Sequence, residues 1–132
     1  MPSQETTVLL VEEEPVVRDI TAFRLELLGY PVVVKENAAQ ATQYLAEELP
    51  ALIAVGQLAD LDPIDFVNRL SDDERTSAIP VIYLSANSDL EAVQRAFNAG
   101  ADEYLVTPYD PLVLEQKVVG LVAAASGGTT GG

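Results

Sequence analysis

Apolar residues recur along this chain in two rhythms. Val8-Leu9-Leu10-Val11, Val32-Val33-Val34 and Ala51-Leu52-Ile53-Ala54-Val55 are short unbroken runs, the pattern of strands covered on both faces. Ile79 to Leu84 predicts a fourth strand with Pro80 at its beginning, and Glu103 to Val106 a short fifth. The third run carries no polar residue and so belongs near the sheet centre. Between these runs the period lengthens. Val16, Ile20, Phe23 and Leu27 follow Pro15 at helical spacing and predict a helix that buries this stripe and ends at Gly29. Asn37 caps a helix carrying Ala38, Ala41 and Leu45, and Pro50 stops it. Asp62-Pro63 opens a helix with Phe66, Val67 and Leu70. Ser88-Asp89-Leu90-Glu91 reads as a capping box before Leu90, Val93 and Phe97, with Gly100 as the stop. Asp110-Pro111 repeats the cap-plus-proline signal before Leu114, Val118 and Leu121.

Strict alternation of five strands and five helices predicts βαβ units, right-handed crossovers and a parallel sheet with helices on both faces. Ligands of such folds bind beyond the carboxyl ends of the strands. Function is therefore sought in the loops after Val11, Val55, Leu84 and Val106. At 132 residues the chain is one domain. It divides into a short extension (1–5), the domain proper (6–124) and a Gly/Thr-rich tail or linker (125–132).

Composition narrows the chemistry. The chain has no Cys and no His, which excludes disulfides, zinc fingers and imidazole bases. The net charge of −14 disfavours phosphate backbones and anionic lipid. No apolar run nears the roughly 18 residues of a membrane span, and residues 1–5 have no signal-peptide pattern. A cytoplasmic protein with neither nucleic-acid nor membrane partners is expected. Glu12-Glu13-Glu14 follows the first strand directly. The cluster suits either a divalent cation such as Mg²⁺ or a solvated acidic loop opening a helix. No Gly-rich phosphate loop follows any strand and Trp is absent, which argues against a nucleotide or flavin enzyme.

Val8 to Pro15, Ile79 to Ala86 and Ala99 to Tyr109 together resemble the receiver domains of two-component response regulators, and the likeness extends over residues 6–124. It implies a flavodoxin-like, doubly wound (βα)5 three-layer sandwich. In that family an Asp ending strand 3 is phosphorylated. Two acids after strand 1 join it in holding Mg²⁺. A Ser/Thr after strand 4 and a Lys after strand 5 contact the phosphoryl group, and an aromatic in strand 5 reports the switch. By resemblance the acidic pair is Glu12 and Glu13, the hydroxyl Ser85 and the aromatic Tyr104. The lysine position holds Thr107, and the acceptor position holds Gly56. The resemblance also implies a cis Thr107–Pro108 bond, whereas sequence statistics favour trans.

Glycine offers no carboxylate to phosphorylate, and threonine cannot supply the missing cation. The longer glutamates displace the remaining acid oxygens. The expectation is a receiver-like module that acts by binding protein without phosphorylation. It has no catalytic residue, no cofactor and at most weak Mg²⁺ at Glu12 and Glu13. Its pocket is a degenerate one of Glu12, Glu13, Ser85 and Thr107. The alternative is a phosphotransfer receiver using Asp60 or Asp62 with Mg²⁺. Asp62 also reads as a helix cap, and Ser85 as a hydroxyl holding local backbone. The resemblance implies a partner face on helix 4, strand 5 and helix 5, offering Gln94, Arg95, Asn98, Glu103, Tyr104, Tyr109 and Lys117. Partners implied are a histidine kinase, another regulator, a neighbouring domain or, through this face, a second copy. The acidic charge favours a partner with a basic patch and salt-sensitive binding.

Overall fold

A computed structural model describes residues 6–127; residues 1–5 and 128–132, assigned above to the extension and the tail, lie outside it. The elements alternate strictly: β1 (Val8–Val11), α1 (Pro15–Leu27), β2 (Val32–Lys35), α2 (Ala38–Leu45), β3 (Leu52–Val55), α3 (Pro63–Asp72), β4 (Val81–Ser85), α4 (Leu90–Ala99), β5 (Glu103–Val106) and α5 (Pro111–Gly127). The sheet is wholly parallel in the order β2-β1-β3-β4-β5. This is the doubly wound α/β sandwich expected, with the uninterrupted β3 run at its centre. α5 continues through residues 125–127, past the predicted boundary.

Every residue of β1 and β3 is buried. Alternate side chains feed two cores. Leu9, Val11, Ile53 and Val55 meet α2, α3 and α4 on one face. Val8, Leu10, Leu52 and Ala54 meet α1 and α5 on the other. Burying each such aliphatic side chain contributes about 1.5–3 kcal/mol. Most helix starts follow the sequence signals. The Asn37 side chain accepts from the Gln40 N–H at 2.8 Å, Asp62 from Ile64 at 2.8 Å and Asp110 from Leu112 at 2.9 Å. Gly29 and Gly100 close α1 and α4 with positive φ.

Four expectations fail locally. The stripe Val16, Ile20, Phe23 and Leu27 is not buried: these residues are 62%, 50%, 58% and 60% exposed. α1 instead turns Thr21 and Leu25 inward, with Val17 and Ala22 beside them. The helix carries two rows of helical spacing, and a threonine disguised the buried one. Its hydroxyl is satisfied by Tyr109 Oη at 2.6 Å. In α4 the buried residues are Ala92, Ala96 and Ala99, while Leu90 and Phe97 are exposed. Small residues let α4 approach α3 closely. A Cβ on Gly100 would stand 2.6 Å from Ser71 Cβ. The capping box does not form: Asp89 is the N-cap of α4 and makes no side-chain cap bond. Its own N–H is held by Asn87 Oδ1 at 2.9 Å. β4 begins at Val81 rather than Ile79, because the Ile79 N–H turns back to Thr76 and Pro80 has none to give.

Candidate functional site

The loops at the carboxyl ends of β1, β3, β4 and β5 enclose a cleft of about 330 Å³. Glu12, Gly56, Ser85 and Thr107 all line it, with Gln57 and Asn87. Three of the four residues expected in the acidic pocket thus converge at the expected place. Glu13 is the exception. It is half-buried and does not line the cleft, and its N–H donates to the Gln57 carbonyl at 2.8 Å. Glu14 serves α1 as N-cap, its carboxylate accepting from Val17 N–H at 2.9 Å.

Glu12 defines the site. It is only 2% exposed. Its Oε2 accepts from the Glu14 N–H at 3.0 Å and the Gln57 N–H at 3.1 Å. Burial raises its pKa above the usual carboxylate value, and the two N–H donors oppose that rise. Its carboxylate lies where a side chain at position 56 would begin: a Cβ built on Gly56 would stand 1.8 Å from Glu12 Oε1. The extra methylene that distinguishes glutamate from aspartate carries the acid across from β1 into the space above β3. Glycine at 56 and glutamate at 12 are sterically matched.

The remaining polar groups are tied to backbone. Ser85 Oγ accepts from the Asn87 N–H at 3.1 Å, the local role read from sequence. Thr107 precedes a cis peptide to Pro108, as the resemblance implied. Asp60 and Asp62 are both helix caps. Asp60 accepts from the Ala38 and Ala39 N–H groups at 2.9 and 3.0 Å, which holds its carboxyl below the usual range. Neither acid lines the cleft. The donor set does not fit Mg²⁺. Position 56 offers no carboxylate, Glu12 Oε2 already takes two N–H donors, and no three acids converge among the described residues.

The proposed partner face is only partly assembled. Tyr104 is half-buried. Its ring packs 5.4 Å from that of Tyr83, and its hydroxyl donates to the Asn87 carbonyl at 2.6 Å. Lys117 Nζ pairs with Glu103 Oε1 at 2.6 Å across α5 and β5. Arg95, Gln94 and Asn98 are exposed on α4. Tyr109 leaves this face: its hydroxyl meets Thr21 of α1, and burial raises its pKa. Sequence reasoning missed Tyr83, Gln57 and Asn87. Tyr83 sits in the cleft wall, its phenol pushed up to about 12 by burial. It reads in sequence as one more core residue of β4. Gln57 contributes through its backbone N–H, which carries no residue-type signal, and Asn87 through its backbone together with a side-chain oxygen that holds the Asp89 N–H.

Comparison with known proteins agrees with this geometry. The family model described as the response regulator receiver domain matches residues 8–119. The phosphate regulon transcriptional regulatory protein PhoB of Pseudomonas aeruginosa is 34% identical over 116 residues, covering 86% of this chain and 51% of its own. Response regulator Rre1 of Synechocystis is 32% identical, covering 92% and 53%. The chain spans about half the length of these curated relatives. A putative response regulator from Chloroflexus aurantiacus superposes with a TM-score of 0.86 at 27% identity, over 89% of this chain and 98% of that one. Cleft position, sheet order and family match agree, and the chain belongs to the response regulator receiver domain family.

Proposed function

We propose that this receiver domain signals without phosphorylation, by binding a protein partner. The observation that carries the reading is the Glu12 carboxylate beside Gly56. The acceptor position has no nucleophile, and a neighbouring acid fills its space. An acyl phosphate needs a carboxylate open to in-line attack on a metal-bound phosphoryl donor. Glu12 is buried, held by two N–H donors and short of a cation. Thr107 leaves the added charge unneutralised. Asp60 and Asp62 are committed to capping α2 and α3. On this reading the domain has no catalytic residue and no resident Mg²⁺.

Partner binding falls to the face of α4, β5 and α5. There Arg95, Leu90 and Phe97 are each exposed on α4, and Val106 is open on β5. Exposed apolar and arginine side chains of this type anchor interfaces. The partner is a histidine kinase, another regulator or a neighbouring domain of a longer protein. At −14 the domain favours a partner with a basic patch. Incubation with acetyl phosphate or beryllofluoride and Mg²⁺, read by intact mass and amide NMR, tests the central claim. The expected result is an unmodified mass and unchanged spectra. An adduct abolished by Asp60→Asn or Asp62→Asn overturns it in favour of a substitute acceptor.

A further inference from the structure

Helix α1 carries an apolar row that its own domain leaves uncovered. Val16, Ile20, Phe23 and Leu27 are each at least half exposed. Their separations of four, three and four residues are those of a heptad seam, with Val16 and Phe23 at d and Ile20 and Leu27 at a. We propose that α1 pairs with α1 of a second copy of this chain, parallel and in register, as a short two-stranded coiled coil.

The charges beside the seam select this occupant and this orientation. Asp19 and Glu26 take the g positions, and Arg24 takes an e position on the other side. In a parallel pair each g residue meets the e residue five places on in its partner. Asp19, which also pairs with Arg18 of its own helix at 3.1 Å through Oδ1, then faces the Arg24 of the second copy, and the two-fold axis repeats the contact. In an antiparallel pair g meets g, and Asp19 would lie against Glu26. Arg24 has no ion-pair partner in its own domain among the described residues. The surface is thus self-complementary, as an isologous dimer requires.

The overall −14 charge does not forbid the contact. α1 itself is neutral, with Arg18 and Arg24 against Asp19 and Glu26. Charges elsewhere are screened beyond about 8 Å at physiological salt. The helix is already held by Thr21 and Leu25 against the sheet, so pairing need not meet the nucleation cost of a free helix. The seam is short: 13 residues span about 20 Å. The dimer therefore belongs to the weak, transient class.

Sedimentation velocity across a wide concentration range tests the proposal. The expected weight-average mass rises from 14.1 kDa towards twice that value. Phe23→Asp stays monomeric at every concentration, with an unchanged circular dichroism spectrum because the position is exposed. Asp19→Arg weakens association about tenfold, and adding Arg24→Asp restores it. The chain has no cysteine, so Ile20→Cys provides a direct check of register. Like a positions are adjacent only in the parallel pair, and mild oxidation is expected to give a covalent dimer. A wild-type protein that remains monomeric throughout overturns the proposal, even if α1 captures a helix of another protein. So does a dimer that survives Phe23→Asp but is lost in Leu90→Glu, which would place the contact on α4.

Discussion

Adding one methyl group at position 56 should cost stability only because Glu12 is there. The Cβ of Gly56→Ala would stand 1.8 Å from Glu12 Oε1 and 2.7 Å from its Cδ, distances no non-bonded pair sustains. The carboxylate must move, and the adjoining cleft of about 330 Å³ gives it room. Moving breaks its bonds to the Glu14 and Gln57 N–H groups. A hydrogen bond to a charged group contributes about 1.5–3 kcal/mol. Hydration of the released acid recovers part of the two, so Gly56→Ala should cost about 2–4 kcal/mol. In a Glu12→Ala background nothing obstructs the methyl. Gly56 does not have positive φ, so the same substitution should then be neutral or stabilise by up to about 1 kcal/mol. Urea unfolding of the four proteins of this cycle at one pH gives a coupling energy, expected near 2 kcal/mol or above. Additivity to within about 0.5 kcal/mol would refute the steric match between residues 12 and 56.

Other consequences follow from burial and capping. Burial raises the Glu12 pKa above 4.5, so the folded state holds its proton more tightly than the unfolded chain. Stability from this group is full below the unfolded value and is lost as pH rises through the folded one. Urea midpoints measured from pH 4 upward should fall for wild type relative to Glu12→Gln, and parallel curves would contradict this. The Tyr83 phenol, pushed up from 10 to about 12, should make stability decline between those values in wild type and less so in Tyr83→Phe, followed by alkaline unfolding monitored by circular dichroism. Leu25→Ala, at a fully buried position, should cost about 2–5 kcal/mol. Ile20→Ser on the same helix should stay within about 0.5 kcal/mol of wild type; the reverse order would mean that the sequence-predicted stripe is the buried one. Asp60→Ala removes two hydrogen bonds at the start of α2 and should lower the urea midpoint without altering the response to acetyl phosphate.

The fold was legible because its signals are local. Continuous apolar runs specify strands covered on both faces. Asn37, Asp62 and Asp110 specify helix starts with their own side chains, and Gly29 and Gly100 specify stops through backbone conformation. The cleft was legible for the same reason, since a parallel sheet brings the ends of its strands together wherever the strands are placed. Gly56 and Thr107 were assigned to that cleft by the resemblance to receiver domains, and both line it.

What the sequence left open concerns faces and reach. Two rows on α1 have helical spacing, and periodicity does not say which one the sheet takes. The answer depends on Tyr109, distant in sequence, whose hydroxyl makes Thr21 a satisfied core residue. Likewise the buried face of α4 is its three alanines, and the helix ends against α3 at Gly100, where a Cβ would stand 2.6 Å from Ser71 Cβ. The three glutamates read as one acidic cluster, yet the structure divides them. Glu14 caps a helix, Glu13 stays out of the cleft, and Glu12 crosses to the empty side-chain position of β3. Strand, helix and loop-end identities are set by residues within a few places of each other. Which side chain fills which space is set by residues that meet only after the sheet has assembled.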